Sequence, residues 1–145
     1  MSRVIDAARA IQRGEMQPPG VAKLLNMRFV DVEVGRISME QDVDERMANP
    51  MGTLHGGILC DLGDAAMGLA FASTCEDDES YATIELTCNF LRPVWKTRLR
   101  ANAHVVHRGH TIGLTECEIL DEHQRLIAKL SSTLIVLRGD AAKGR

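Results

Sequence analysis

The residues whose types and spacing could do chemistry lie between Asn49 and Asp64, in the stretch NPMGTLHGGILCDLGD. Gly56 and Gly57 stand where a long apolar run begins, so we expect them to open a helix with backbone N–H groups that lack intrahelical acceptors. The positive end of the helix dipole lies at the same place. A carbonyl oxygen that becomes negative during a reaction could be stabilised there, as in an oxyanion hole.

Two carboxylates lie further along the same predicted helix. A carboxylate in an apolar helix is costly unless it is paired, hydrogen-bonded or useful. Asp61 is close enough to the helix start to be favoured by the dipole. Asp64 lies deeper, and the pattern leaves two interpretations open: a catalytic group, or a solvated or ion-paired position. The residues that share this face, spaced three or four apart, are Gly57, Asp61, Asp64 and Gly68.

Other chemical groups give weaker indications. His55 precedes the helix and could cap it or hydrogen-bond a loop carbonyl. A metal site at His104, His107 and His110 is disfavoured, because positions 104 and 107 of a strand point to opposite faces. The four cysteines form no Cys-x-x-Cys pair, and no nucleophile elbow or phosphate-binding glycine pattern is found. We therefore predict neither a metal nor a cofactor.

Composition limits the class of protein. The 145 residues include 20 acidic and 17 basic side chains, for a formal charge of −3, which argues against a dedicated nucleic-acid binder. No apolar run reaches the roughly 20 residues that span a bilayer. The N-terminus has no apolar block of the secretory type. These features predict a soluble cytoplasmic protein with no membrane or nucleic-acid partner.

The elements that must position these residues follow from hydrophobic periodicity. Helical patterns cover 3–13, 21–25 and 58–73, and two short strands fall between the last two, joined by a turn at Gly35-Arg36. Four runs with period two follow the long helix, the first with Ile84, Leu86, Cys88 and Phe90 on one face. This order predicts an α+β fold in which an antiparallel sheet wraps one helix. Since one sheet covers a helix on one side only, we expect a dimer.

At this point the motif Asn49-x-x-Gly52-Thr53-Leu54-His55-Gly56-Gly57, with Asp64 seven residues later, resembles the hotdog-fold acyl-CoA thioesterases, specifically their PaaI-like branch. The segments 83–93 and 106–111 are similar to the family's first long strand and to its hairpin that contacts coenzyme A. The resemblance covers roughly 21–137. We therefore predict an N-terminal helix or arm over 1–20, a hotdog domain over 21–138 and a tail over 139–145.

The resemblance implies a long central helix wrapped by a curved sheet, with homodimers that pair into homotetramers. It implies that the Gly56 N–H polarises the thioester carbonyl and that Asp64, reaching in from the partner subunit, is the general base or the nucleophile. Asn49 would hold the carbonyl or the water. Thr83 would hydrogen-bond near the acidic residue, and His55 would orient the loop.

The resemblance also implies a set of contacts with coenzyme A, which is part of the substrate rather than a cofactor. A positive group near its phosphates is physically sensible, and Arg108 is the foremost candidate. The residues expected to meet coenzyme A are Gly57, Phe90, His107, Arg108, Gly109, His110 and Thr111.

The function predicted from these residues is hydrolysis of an acyl-CoA thioester to a free acid and coenzyme A. A non-catalytic acyl-CoA-binding or sensing protein on the same fold is the alternative, although such a protein would be expected to lack Asp64. A dehydratase would need a His/carboxylate pair that is not evident. The acyl group stays open between aromatic and medium-chain aliphatic acids, because fold does not decide it.

Overall fold

The structure is a computed structural model that describes residues 2–145. The predicted α+β architecture is confirmed, with one long helix packed against a six-stranded sheet. Two short 3₁₀ turns at Glu45–Met47 and Gly139–Ala142 complete the secondary structure. The helices and strands are α1 (Arg3–Gln12), α2 (Gly20–Leu24), β1 (Arg28–Glu33), β2 (Arg36–Val43), α3 (Gly56–Ala72), β3 (Glu79–Phe90), β4 (Thr97–Arg108), β5 (Ile112–Leu120) and β6 (Leu126–Arg138).

The sheet is antiparallel throughout, with strand order β1-β2-β4-β5-β6-β3. Strand β3 follows α3 in the chain but joins the far side of the sheet, where it pairs with β6 alone. Its other edge therefore has no strand partner among residues 2–145.

Helix α3 is the centre of the core because its sequence is apolar nearly all round. Leu62, Ala66 and Met67 are fully buried, and the sheet packs over them through β2, β4, β5 and β6. Asp61 and Asp64 are exposed, as the predicted polar face requires, whereas Gly68 is buried. A side chain at Gly68 would lie 2.5 Å from the Tyr81 hydroxyl, so β3 approaches the helix closely at this turn.

Two local predictions were wrong. The turn between β1 and β2 consists of Val34 and Gly35 rather than Gly35-Arg36, and Gly35 adopts the positive φ of 75° that this tight turn requires. Ile84 does not share the buried face of β3. It lies at a bulge where the register slips between Thr83 and Glu85, and it is 56% exposed, whereas Leu86 packs on the core.

The N-terminal helix α1 belongs to the same core as α3. Ile5 and Ala8 are buried, and the Gln12 side chain donates to the Val30 carbonyl of β1 at 2.7 Å. Within residues 2–145, no helix has the length and apolar character needed to cross a bilayer.

Candidate active site

Asn49 organises the turn that leads into α3. Its Oδ1 accepts hydrogen bonds from the backbone N–H groups of Met51 and Thr53, at 3.0 and 3.2 Å, and its Nδ2 donates to Thr53 Oγ1 at 2.8 Å. The Asn49 N–H donates to the Thr53 carbonyl at 2.7 Å. The side chain thus fixes the shape of the loop and keeps one amide hydrogen without an acceptor in residues 2–145.

His55 decides which glycine N–H is free at the start of α3. It is the N-cap residue, and its Nδ1 accepts a hydrogen bond from the Gly57 N–H at 2.9 Å. Its own N–H donates to the Met47 carbonyl at 2.9 Å, which ties the helix start to the preceding loop. Gly56 is left as the residue whose N–H has no acceptor in the described part of the chain. The cap therefore leaves one donor at the positive end of the helix.

A cavity of about 370 Å³ lies in front of that donor. Asn49, Gly56 and Phe90 all line it, so the fold brings together three residues predicted as site residues. A Cβ atom at Gly56 would lie 2.8 Å from Cζ of Phe90, so any larger residue there must displace the exposed Phe90 ring. The remaining lining residues are Thr53, Leu54, Leu59, Leu91, Arg92, Pro93 and Val94.

Asp64 and Thr83 are also brought together, as the family resemblance implies. The Thr83 hydroxyl donates to Asp64 Oδ1 at 3.2 Å across the gap between β3 and α3. Burial raises the pKa of Asp64 above its ordinary value and the charge of Asp61 acts in the same direction, whereas the Thr83 hydrogen bond lowers it. The charge of Asp64 also acts on Tyr81. Burial is the larger cause and the Asp64 charge the smaller one, and together they raise the pKa of Tyr81 to about 12. Asp64 is thus a carboxyl group with a raised pKa that is held in place by the Thr83 hydroxyl.

The two halves of the predicted site are separated within one chain. Gly56 and Asp64 are eight positions apart on α3, which corresponds to about 12 Å along the helix axis. The cavity at Gly56 is not lined by Asp64 or Thr83. Within a single chain, the free N–H of Gly56 and the carboxyl group of Asp64 therefore do not face one common atom.

The hairpin over 107–111 lies elsewhere, beside the C-terminal end of α3. The Arg108 guanidinium pairs with Glu79, donates to the Gly109 carbonyl and lies 5.1 Å from the centre of the Phe71 ring. The Thr111 carbonyl accepts from the Val136 N–H at 2.8 Å. None of His107, Gly109 and His110 lines the cavity at Gly56. Contact of this hairpin with coenzyme A stays a prediction, and the Arg108 side chain is engaged by Glu79.

Glu79 is an important residue that the sequence analysis missed. It is the first residue of β3, and its side chain is only 6% exposed. Both Arg108 and Arg138 pair with it. Burial alone would raise the pKa of Glu79, yet the Glu76 N–H and the two guanidinium groups bring it below the ordinary value. No local pattern could have identified it, since its partners are 29 and 59 residues away.

Three of the four thiols are poor nucleophiles in this fold. Burial raises the pKa of Cys88 and of Cys117 to about 12, and it raises that of Cys75 as well. All four cysteines are free. Residues 2–145 contain no group of three or more His, Cys, Asp or Glu side chains placed to hold a metal ion.

Comparison with known proteins identifies the family to which this geometry corresponds. Residues 51–128 match the model of the thioesterase superfamily. A protein of Saccharolobus solfataricus that is named a putative esterase is 32% identical over 133 residues. The match covers 92% of this chain and 94% of that protein. A 1,4-dihydroxy-2-naphthoyl-CoA hydrolase of Listeria monocytogenes is 28% identical over 81% of this chain and 95% of its own. The PaaI protein from the phenylacetic acid degradation operon of Escherichia coli has the same fold, with a TM-score of 0.80 and 24% identity. The match covers 96% of this chain and 98% of that protein.

Proposed function

Because the chain belongs to the thioesterase superfamily, we propose that it hydrolyses an acyl-CoA thioester, with the carbonyl oxygen held by the Gly56 N–H and water activated by Asp64. The observation that carries this proposal is the pair of features on α3: one unpaired N–H at its start and one carboxyl group with a raised pKa on its exposed face. An oxyanion donor and a base are the two groups that acyl transfer to water needs.

The proposed site forms between two chains, with Gly56 from one and Asp64 from the other. The distance between these residues within one helix supports this arrangement, because one chain cannot present both groups to the same carbonyl. The unpaired edge of β3 and its exposed side chains Ile84 and Phe90 offer a surface that a second copy can cover. We propose a homodimer on these grounds, and a homotetramer built from two such dimers.

In the proposed reaction the thioester carbonyl accepts a hydrogen bond from the Gly56 N–H, which stabilises the negative charge of the tetrahedral intermediate. The Asp64 carboxylate removes a proton from water as the water oxygen attacks the carbonyl carbon. Collapse of the intermediate breaks the C–S bond, and the thiolate of coenzyme A leaves. Thr83 holds Asp64 Oδ1 in place, and the free amide hydrogen of Asn49 can bind the carbonyl or the water.

The proposal is tested by thiol release from a panel of acyl-CoA esters, detected with a disulfide chromophore. The panel runs from short and medium straight chains to phenylacetyl, hydroxybenzoyl and dihydroxynaphthoyl groups. We expect turnover of at least one ester. Light scattering should give a mass of two or four chains of 16.0 kDa each. Binding of these esters with no release of thiol from any of them would contradict the proposal and favour a sensing role.

Substitution of Gly56 by Ala keeps the backbone N–H but crowds the start of α3, and it is expected to lower kcat by about two orders of magnitude, the usual effect of misplacing a reacting group by about 1 Å. The added Cβ would lie 2.8 Å from the Phe90 ring, so the helix start or the ring must move. Steady-state kinetics on the best ester measures the effect, and a thermal melt close to that of the wild type shows that the fold is kept. An unchanged kcat would show that the geometry at the start of α3 does not position the thioester carbonyl.

A further inference from the structure

The Tyr81 side chain lies against α3 one helical turn after Asp64. A Cβ atom at Gly68 would stand 2.5 Å from the Tyr81 hydroxyl oxygen, so the hydroxyl occupies the place where a larger residue at position 68 would put its side chain. Gly68 follows Asp64 by four residues, a spacing that puts both on one face of a helix. The glycine therefore allows a strand residue to bring a hydroxyl group to the helix face that carries the Asp64 carboxyl group.

The register of β3 leads to the same placement. Tyr81 and Thr83 are two residues apart, so their side chains point to the same face of the strand. They pair with Val136 and Leu134 of β6, and the bulge begins only after Thr83. Since the Thr83 hydroxyl donates to Asp64 Oδ1 at 3.2 Å, Tyr81 meets α3 at the next turn of the helix.

The Tyr81 hydroxyl is not used by the fold. It has no hydrogen-bond partner among residues 2–145, and the second carboxylate oxygen of Asp64, Oδ2, has none there either. Burial raises the pKa of Tyr81 to about 12, with a smaller contribution from the Asp64 charge, so the hydroxyl stays neutral at ordinary pH. Tyr81 also lines a cavity of about 750 Å³ beside the C-terminal half of α3, which makes the residue accessible to solvent.

The spacing between these two unused oxygen atoms fits one water molecule. Four residues of an α-helix rise by about 6 Å, and two residues of a strand advance by about 6.6 Å. The Tyr81 hydroxyl is accordingly about one helical turn, or roughly 6 Å, from the Asp64 carboxylate. A water molecule that hydrogen-bonds to two oxygens at about 2.8 Å each holds them about 5.5 Å apart. The two groups are thus too far apart for a direct hydrogen bond and suitably placed to share a water.

We propose that Tyr81 is a further catalytic residue of the hydrolytic site, because its hydroxyl and the Asp64 carboxylate hold the attacking water between them. This inference rests on the proposed function and adds a residue to it. The water donates one hydrogen to Asp64 Oδ2 and the other to the Tyr81 oxygen, which leaves a lone pair of the water free to attack the thioester carbonyl. As the new C–O bond forms, the first proton passes to Asp64, and the C–S bond then breaks to release the thiolate. Tyr81 and Asp64 come from one chain, and Gly56 comes from its partner.

Tyr81→Phe removes the oxygen and keeps the ring, which makes an edge contact with Phe71 at 6.0 Å between centroids. We expect kcat for the best ester to fall about tenfold, the usual effect of losing one hydrogen bond, with KM within about twofold of the wild type. The melting temperature should not fall, because the hydroxyl bonds to nothing in the described chain. The control Ser38→Ala removes a hydroxyl that bonds Asn102 on β4, and it should leave kcat unchanged. An unchanged kcat in Tyr81→Phe, or a fall in kcat that comes with a lower melting temperature, would overturn the proposal.

Competition with hydroxylamine distinguishes a role toward water from a general effect on the site. Hydroxylamine cleaves the same thioester to a hydroxamic acid and coenzyme A, so the ratio of hydroxamic acid to free acid measures how well water competes. After subtraction of the uncatalysed reaction, this ratio should rise about tenfold in Tyr81→Phe, because only the attack of water loses a hydrogen bond. It should stay constant in Ser38→Ala. An equal ratio in Tyr81→Phe and the wild type would show that Tyr81 does not hold the water.

Parallel assays of the wild type and of Asp64→Asn separate this inference from the proposed function. Turnover that is lost in Asp64→Asn and unchanged in Tyr81→Phe would leave the function in place and overturn the role of Tyr81. Absence of turnover by the wild type with every ester would overturn both.

Discussion

Replacement of Asp64 by Asn is expected to lower kcat for thioester hydrolysis by about three orders of magnitude, within the 10²–10⁴ range of a positioned general base. The amide keeps the size of the side chain, and its oxygen can still accept the hydrogen bond that Thr83 donates at 3.2 Å. The fold and the oligomer should therefore persist while the proton acceptor is lost. Thiol release under steady-state conditions measures the change, and light scattering checks the mass. Full turnover in this variant would exclude Asp64 from the chemistry.

The matched control for this experiment is Asp61→Asn, one helical turn earlier. The Asp61 charge raises the pKa of Asp64, so its removal lowers that pKa. A base works in its deprotonated form, and activity is lost as the pH falls through its pKa. The acid limb of the rate profile should accordingly move to lower pH in Asp61→Asn, with kcat at the plateau near that of the wild type. A limb that does not move would show that another group controls it.

Replacement of Glu79 by Ala is expected to lower the free energy of unfolding by about 3 kcal/mol, the typical cost of removing one partner from a buried ion pair. The Glu79 side chain is 6% exposed, and that of Arg108 is 23% exposed. Without the carboxylate, Arg108 and Arg138 would be two like charges next to each other, and the Arg108 Nε is already buried without a hydrogen-bond partner. Urea unfolding measures the difference. Asp78→Ala, which removes an exposed carboxylate just before the same strand, is the control and should cost about 0.5 kcal/mol or less.

The cost of Glu79→Ala should also depend on pH. The pKa of Glu79 is lowered in the folded state, so its contribution to stability is present above the pKa of the unfolded chain and is lost as the pH falls through the folded value. The stability of the wild type and that of the variant should therefore converge in acid. Equal differences in urea midpoint at neutral and acid pH would contradict the ion-pair explanation.

The elements of this fold could be predicted from the sequence wherever a local pattern is strong. The apolar run after His55 predicted α3, and the four period-two runs predicted β3 to β6 with small errors at their ends. The polar face with Asp61 and Asp64 was predicted because helical spacing alone determines which residues share a face. The cavity shared by Asn49, Gly56 and Phe90 was expected only through the family resemblance.

Other features depend on strand register and could not be predicted. Glu79 lies opposite Arg138 because β3 pairs with β6, and that pairing determines which charges meet at the end of the sheet. The bulge at Ile84 is also a property of this pairing, since it separates Thr83 from Glu85 in register. No pattern within β3 itself distinguishes the bulged residue from its neighbours. For His55 the sequence left two interpretations open, a helix cap or a bond to a loop carbonyl, and the ring caps α3 by accepting from the Gly57 N–H.

The separation of Gly56 from Asp64 along α3 has a genetic consequence under the proposed dimer. In a mixed dimer of a Gly56→Ala chain and an Asp64→Asn chain, one site receives both lesions and the other receives neither. Two-fold symmetry makes half of randomly mixed dimers of this kind, so about one quarter of all sites would be intact. Two alleles that are each inactive would thus complement each other in one cell, whereas an allele carrying both lesions would complement neither.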